Sequence, residues 1–212
     1  MPAGSMGDVS DDEHIPSIDV TRRRRAIILA GRNGDAATVH AALSDAEPIV
    51  RGAALSALER AGAIDNAQVS SALYDSSPVV RRRAAQIAAL HPTVDLLLAL
   101  RDDDDTVVEM AAWAMGEQPD TRHEAIDALC DVSTSHDDAL CREAGVAALG
   151  AIGDERGLQA ILHGTTDKPA VRRRAVLALA PFSGESVDVA LQRALEDRDW
   201  QVRQAAEDLL RS

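Results

Sequence analysis

The sequence predicts an all-α protein, a right-handed α-solenoid (an α-α superhelix) of about six helix pairs, and three observations predict it. One short phrase returns along the 212 residues at intervals near 30. The small and apolar residues that follow each copy fall on one face at 3.6 residues per turn. No stretch alternates polar and apolar residues with the period of two that marks a strand.

The phrase is clearest as Asp45-Ala46-Glu47-Pro48-Ile49-Val50-Arg51 and Asp75-Ser76-Ser77-Pro78-Val79-Val80-Arg81. Asp197-Arg198-Asp199-Trp200-Gln201-Val202-Arg203 keeps both ends, and Lys168-Pro169-Ala170-Val171-Arg172 keeps the proline and the arginine. Looser copies surround Glu109 and Arg142, and a truncated one surrounds Arg23. Anchors at 23, 51, 81, 109, 142, 172 and 203 are separated by 28, 30, 28, 33, 30 and 31 residues, too regular for chance.

Each anchor opens a helix. Three residues on stands a small residue (Ala26, Ala54, Ala84, Ala112, Gly145, Ala175, Ala206), which lets a neighbouring helix come close. Six or seven residues on stands an apolar one, such as Leu58, Ile87, Met115, Leu149, Leu179 or Leu210. Pro48, Pro78 and Pro169 sit at or just before the first turn, where a missing N–H costs nothing. Between the anchors the pattern predicts a second amphipathic helix in each unit, at 36–43, 67–73, 94–100, 125–132, 158–162 and 187–195. Gly34-Asp35, Gly153-Asp154 and Gly184-Glu185 supply stop and start signals before three of these.

A single helix pair of this length cannot bury its apolar face, whereas stacked pairs share a continuous core. With these motifs the chain resembles the HEAT repeats, in the short form first named from phycobilisome chromophore lyases, over about residues 18–211. The resemblance implies that each repeat arginine pairs with an aspartate of a neighbouring turn. Asp45, Asp75 and Asp197, each six residues before Arg51, Arg81 and Arg203, fit such a ladder, as does Arg172, and all are expected to be structural. The solenoid is expected over 18–212. Residues 1–17, rich in Gly, Ser, Asp and Glu, are expected to form a disordered acidic tail, with translation beginning at Met1 or at Met6.

Composition narrows the function. Acidic residues outnumber basic ones 35 to 22, a net charge of −13, which repels nucleic acid and anionic membrane unless arginine gathers on one face. Aromatic residues make up only 2%, so an aromatic-lined ligand pocket is not expected. No apolar run approaches a membrane span, nothing near Met1 reads as a secretory signal, and two cysteines make no disulfide framework, so a cytoplasmic, reducing location is expected.

Two features stand out as candidate sites. Arg23-Arg24-Arg25, Arg81-Arg82-Arg83 and Arg172-Arg173-Arg174 occupy the same three positions in three units. The first of each belongs to the ladder, and Arg82, Arg83, Arg173 and Arg174 are expected to make a basic stripe on the concave face. The fourth unit departs from the pattern, with Glu109 where arginine is expected, followed by Met110 and Trp113. Met110 and Ala114 are expected to be exposed, with Trp113 beside them, as in a protein-binding hot spot. Trp113 also aligns with Leu55, Val146 and Val176, which reads as a core position.

Other chemistry finds little support. Asp102 to Asp105 reads as a solvated loop rather than a metal site. Arg122-His123-Glu124-Ala125 is similar to one of the His-Glu pairs by which the HEAT-repeat deoxyhypusine hydroxylases hold iron, and one pair does not make that constellation. Cys130 and Cys141, with His136 between them, lack zinc spacing, and Ser133 to Ser135 beside His136 lacks a nucleophile turn. The expected function is therefore a non-catalytic scaffold without metal or cofactor, binding another protein in its concave groove through Glu109, Met110, Trp113, Arg82, Arg83, Arg173 and Arg174. The alternative is nucleic-acid binding in the manner of the HEAT-like alkylpurine DNA glycosylases, which the net charge disfavours. Chromophore-lyase activity is implied only by the name of the repeat class.

Overall fold

In a computed structural model, residues 17–118 and 123–211 are described. Residues 1–16, most of the expected tail, lie outside them. All regular structure among the described residues is helical.

The anchor helices are α1 (Ile18–Arg32), α3 (Pro48–Arg60), α5 (Pro78–Ala88), α6 (Asp105–Glu117), α8 (Ala139–Ile152), α10 (Pro169–Ala178) and α12 (Trp200–Arg211). Each packs on the next, so α1, α3, α5, α6, α8, α10 and α12 form one row. The second row holds α2 (Ala36–Ala41), α4 (Asn66–Ala72), α7 (His123–Ser135), α9 (Leu158–Gly164) and α11 (Glu185–Leu195). The core runs between the rows through Val50, Leu58, Val80, Val107, Leu129, Leu149, Ile161, Val176 and Val202.

Local chemistry explains the boundaries. Pro48, Pro78 and Pro169 open α3, α5 and α10. Ser17 caps α1, Asp35 caps α2, and Asp65 forms a reciprocal capping box with Gln68 at α4. Gly153 ends α8 at φ 69°, a left-handed turn that suits glycine. Close packing within the anchor row also rests on glycine. A Cβ added at Gly150 would stand 2.5 Å from Ala178 Cβ on the next anchor helix.

One expected helix is missing. Residues 94–98 form turns, with only a single 3-10 turn over Ala99–Arg101. The Asp95 carboxylate takes the Leu97 N–H at 2.9 Å, a cap-type contact that starts the turn there and leaves too few residues before Asp102 for a full helix. Val94, Leu96, Ala99 and Leu100 are still buried, so the turn covers the core in the helix's place.

Candidate functional site

The row of anchor helices carries a ladder of charge, built from the anchor arginines of its units. Arg51 Nε and Nη2 grip the two Asp75 oxygens at 2.7 and 2.5 Å. Arg81 holds Asp102 at 2.6 and 2.7 Å, and Arg172 holds Asp197 at 2.8 and 2.7 Å. Arg142 holds Asp167 the same way at 2.6 and 2.9 Å, and Arg23 reaches Asp45. The aspartate six residues upstream is not the salt-bridge partner of its own arginine. Arg51 Nη1 donates to the Asp45 carbonyl and Arg81 Nη1 to the Asp75 carbonyl, both at 2.9 Å, while the fork reaches forward into the next unit. Arg203 makes the carbonyl contact to Asp197 at 2.7 Å. These paired forks satisfy groups that are otherwise costly to bury, Arg172 being only 7% exposed. The Arg81 and Arg172 guanidiniums hold the Asp102 and Asp197 carboxyls below the usual carboxylate range.

Asp102 is thus a ladder residue rather than part of a solvated loop. Its hydrogen bond to the Asp104 N–H repeats the turn that Asp75 makes with Ser77.

The ladder changes character between α6 and α8. Counted six residues from Asp102, as from Asp45, Asp75 and Asp197, the arginine position falls on buried Val108 rather than on the expected Glu109, which is one residue further on, and His136 holds the aspartate position before Arg142. His136 Nδ1 accepts the Asp138 N–H at 3.1 Å, as an aspartate oxygen does elsewhere, and its Nε2 faces Asp105 Oδ1 at 3.9 Å. Cys141 occupies the position of Val50, Val80, Val107, Val171 and Val202. It is fully buried, and its thiol donates to the Asp105 carbonyl at 3.2 Å. Burial first, then Asp138, Asp105 and Glu109, push that thiol up to about 12, so it is no nucleophile at neutral pH. Ser133 is also buried, and its hydroxyl is committed to the Leu129 carbonyl at 2.7 Å.

A groove runs along the anchor row. Its larger chamber, about 640 Å³, is walled by α6 and α8, with Gln86 at one end and Arg174 at the other. Glu109, Glu117 and Glu143 line it, with Met110, Leu140 and an alanine floor. A second chamber of about 370 Å³ lies toward α3 and includes Glu59, Arg60, Arg83 and Leu90. The two share Gln86, Trp113 and Glu117, and Trp113 stands 44% exposed where they meet. Arg174 Nε lies 3.5 Å from Glu143. Burial, then Arg82 and Arg60, lower the pKa of Arg83, and with Arg60 and Arg83 beside Glu59 and Glu117 the second chamber is less acidic than the first.

The HEAT repeats model matches residues 66–150 and 93–169, and the model of the HEAT repeat associated with sister chromatid cohesion matches 37–58. The chain belongs to the HEAT-repeat family. These matches carry the repeat itself and do not extend to the lyase-type subclass. No curated protein matches it. Among solved structures it is similar to the Escherichia coli protein YibA, with TM-score 0.71 and 19% identity over 92% of this chain and 78% of that one. It is also similar to a designed armadillo repeat protein in complex with the peptide (KR)4, with TM-score 0.60 and 18% identity over 82% and 96%. An engineered protein aligns with TM-score 0.58 and 20% identity over 84% and 95%. At these identities the likeness is one of fold.

Within this HEAT-repeat protein the expected groove residues fall into two groups. Glu109, Met110, Trp113, Arg83 and Arg174 line the groove, whereas Arg82 and Arg173 line neither chamber. Ala114, expected to be exposed, is fully buried, and Met110 is half-buried. Trp113 does not align with buried Leu55, Val146 and Val176, whose counterpart is buried Ala112; it shares its position with Ser56, Gln86 and Ala147, which also line the groove. Arg122 and the His123 side chain lie outside the described residues. Glu117, Glu143, Asp102, Asp105 and the convergence of His136 with Cys141 escaped the sequence reading. Aligning the units residue by residue exposes the last, since His136 and Cys141 each replace the residue type common at its position.

Proposed function

We propose that this HEAT-repeat protein is a non-catalytic scaffold that holds an extended segment of another protein in the groove of its anchor row. The observation that carries this reading is Trp113, an exposed aromatic anchor where two chambers meet on an alanine floor. Small residues leave room for a backbone, and a half-exposed indole gives a partner side chain area to cover. The larger chamber presents Glu109, Glu117 and Glu143 against a single arginine, Arg174, which faces Glu143. That balance suits a cationic side chain laid over the indole. The designed armadillo neighbour, in complex with the peptide (KR)4, supports the same class of ligand.

Indole fluorescence tests the proposal directly. In a Trp200→Phe background Trp113 is the sole tryptophan. A lysine-arginine repeat peptide should shift its emission, and an aspartate-glutamate peptide of equal length should not. Glu109→Gln with Glu117→Gln should weaken binding about tenfold, the loss of about 1.4 kcal/mol of charge contact. Equal binding of both peptides, or an affinity measured by calorimetry that survives Trp113→Ala, overturns the assignment. Binding of an oligonucleotide with a steep salt dependence would move the chain to the nucleic-acid class instead.

A further inference from the structure

We propose that Asp105, His136 and Cys141 bind a thiophilic divalent cation of the zinc class, which takes the place of the guanidinium missing between α6 and α8. One ligand atom from each of the three residues lies within 4.8 Å of the other two. On a tetrahedral zinc such atoms stand about 3.3–3.6 Å apart, given metal–ligand bonds of about 2.0–2.3 Å. The exposed Asp105 carboxylate can close that difference by a rotamer change, while Cys141 and the half-buried His136 are held by the packing of α8.

The pattern of the repeat is the second, independent observation. Every other junction that the ladder spans places an arginine between the units. Here three departures coincide: arginine becomes Val108, aspartate becomes His136, and valine becomes Cys141. The first removes the cation, and the other two supply a nitrogen and a sulfur donor suited to zinc. Glu109, Asp105 and Asp138 leave the junction anionic, which favours a cation of either origin. The proposal rests on the ladder and is independent of the groove reading.

Binding forms one bond each to an Asp105 carboxylate oxygen, His136 Nε2 and Cys141 Sγ. The thiol proton passes to solvent, and the ring proton moves from Nε2 to Nδ1. Ligation therefore gives up the Asp138 N–H bond to Nδ1, a cost set against the zinc–thiolate bond. The fourth position is left to water or to a ligand brought by a partner.

The test uses the full chain, stripped of metal and titrated with cobalt(II) and with zinc alone. Cobalt should give a thiolate charge-transfer band at one equivalent, and zinc should raise the melting temperature by several degrees. Cys141→Val, which installs the residue of the other units, should fold normally by circular dichroism and lose both responses. Val108→Arg with His136→Asp should rebuild the ordinary rung, melting at least as high without metal and no longer responding to zinc. Absence of the cobalt band, or a zinc response that persists in Cys141→Val, overturns the proposal.

Discussion

At the scale of single residues, the forked arginine does two jobs that differ in worth. Arg81 closes its own turn through the Asp75 carbonyl and crosses to the Asp102 carboxylate, whereas Arg203 makes backbone contacts at the last unit. Arg81→Ala strands a largely covered carboxylate and should cost about 2–4 kcal/mol. Arg203→Ala should cost about 0.5–1.5 kcal/mol, because it removes bonds to carbonyls that water can replace. Chemical denaturation of the two variants measures the difference, and equal losses would mean that the cross-unit pairing contributes nothing. How much of this was readable depends on what the sequence encodes. The recurring Asp and Arg announce a ladder, but the partner of each arginine lies 21 to 25 residues ahead and is fixed by how the units stack.

Among elements, the contact between neighbouring anchor helices sets the tolerances. Gly150→Ala forces a methyl against the Ala178 backbone 2.6 Å away and should destabilise by about 1–3 kcal/mol. Gly52, in the middle of α3, has open space where its Cβ would be. Gly52→Ala should therefore stabilise by about 0.5–1 kcal/mol through helix propensity alone. Thermal melts of the pair decide it, and a loss in Gly52→Ala would show that this helix face is covered. All seven expected anchors are followed by the small and apolar residues that made their helices legible. The helix expected at 94–100 failed because apolar spacing was counted there and the Asp95 start signal, which leaves only a short turn before Asp102, was not. Trp113 was ambiguous because the anchor was counted at Glu109, which reads its position as core; counted from Asp102 the anchor is Val108, and Trp113 falls with Gln86 and Ala147 on the groove.

For the whole molecule, the acidic excess and the ladder together shape the response to pH. The Asp102, Asp167 and Asp197 carboxyls are lowered first by the arginine hydrogen bonds, in the face of burial, which acts the other way. Their folded values lie below the unfolded value of about 3.9. The stability they contribute is thus complete above about pH 4 and is lost as the pH falls through the depressed folded values. Melting temperature measured from about pH 5 down to about pH 2.5 should fall steeply below pH 4. In Arg81→Ala that acid limb should be shallower, because Asp102 no longer distinguishes folded from unfolded. A fall that begins well above pH 5 would point to other groups.

The forward reach of each arginine links one rung to the next, because the aspartate it grips also lends its carbonyl to the following arginine. From Arg23 to Asp102 this makes one unbroken tie, and from His136 to Arg203 a second. Between them only side-chain packing and the altered junction carry load. The larger chamber of the groove straddles the gap between the two ties, so the width of the site is set where α6 and α8 are joined by helix packing rather than by an arginine rung.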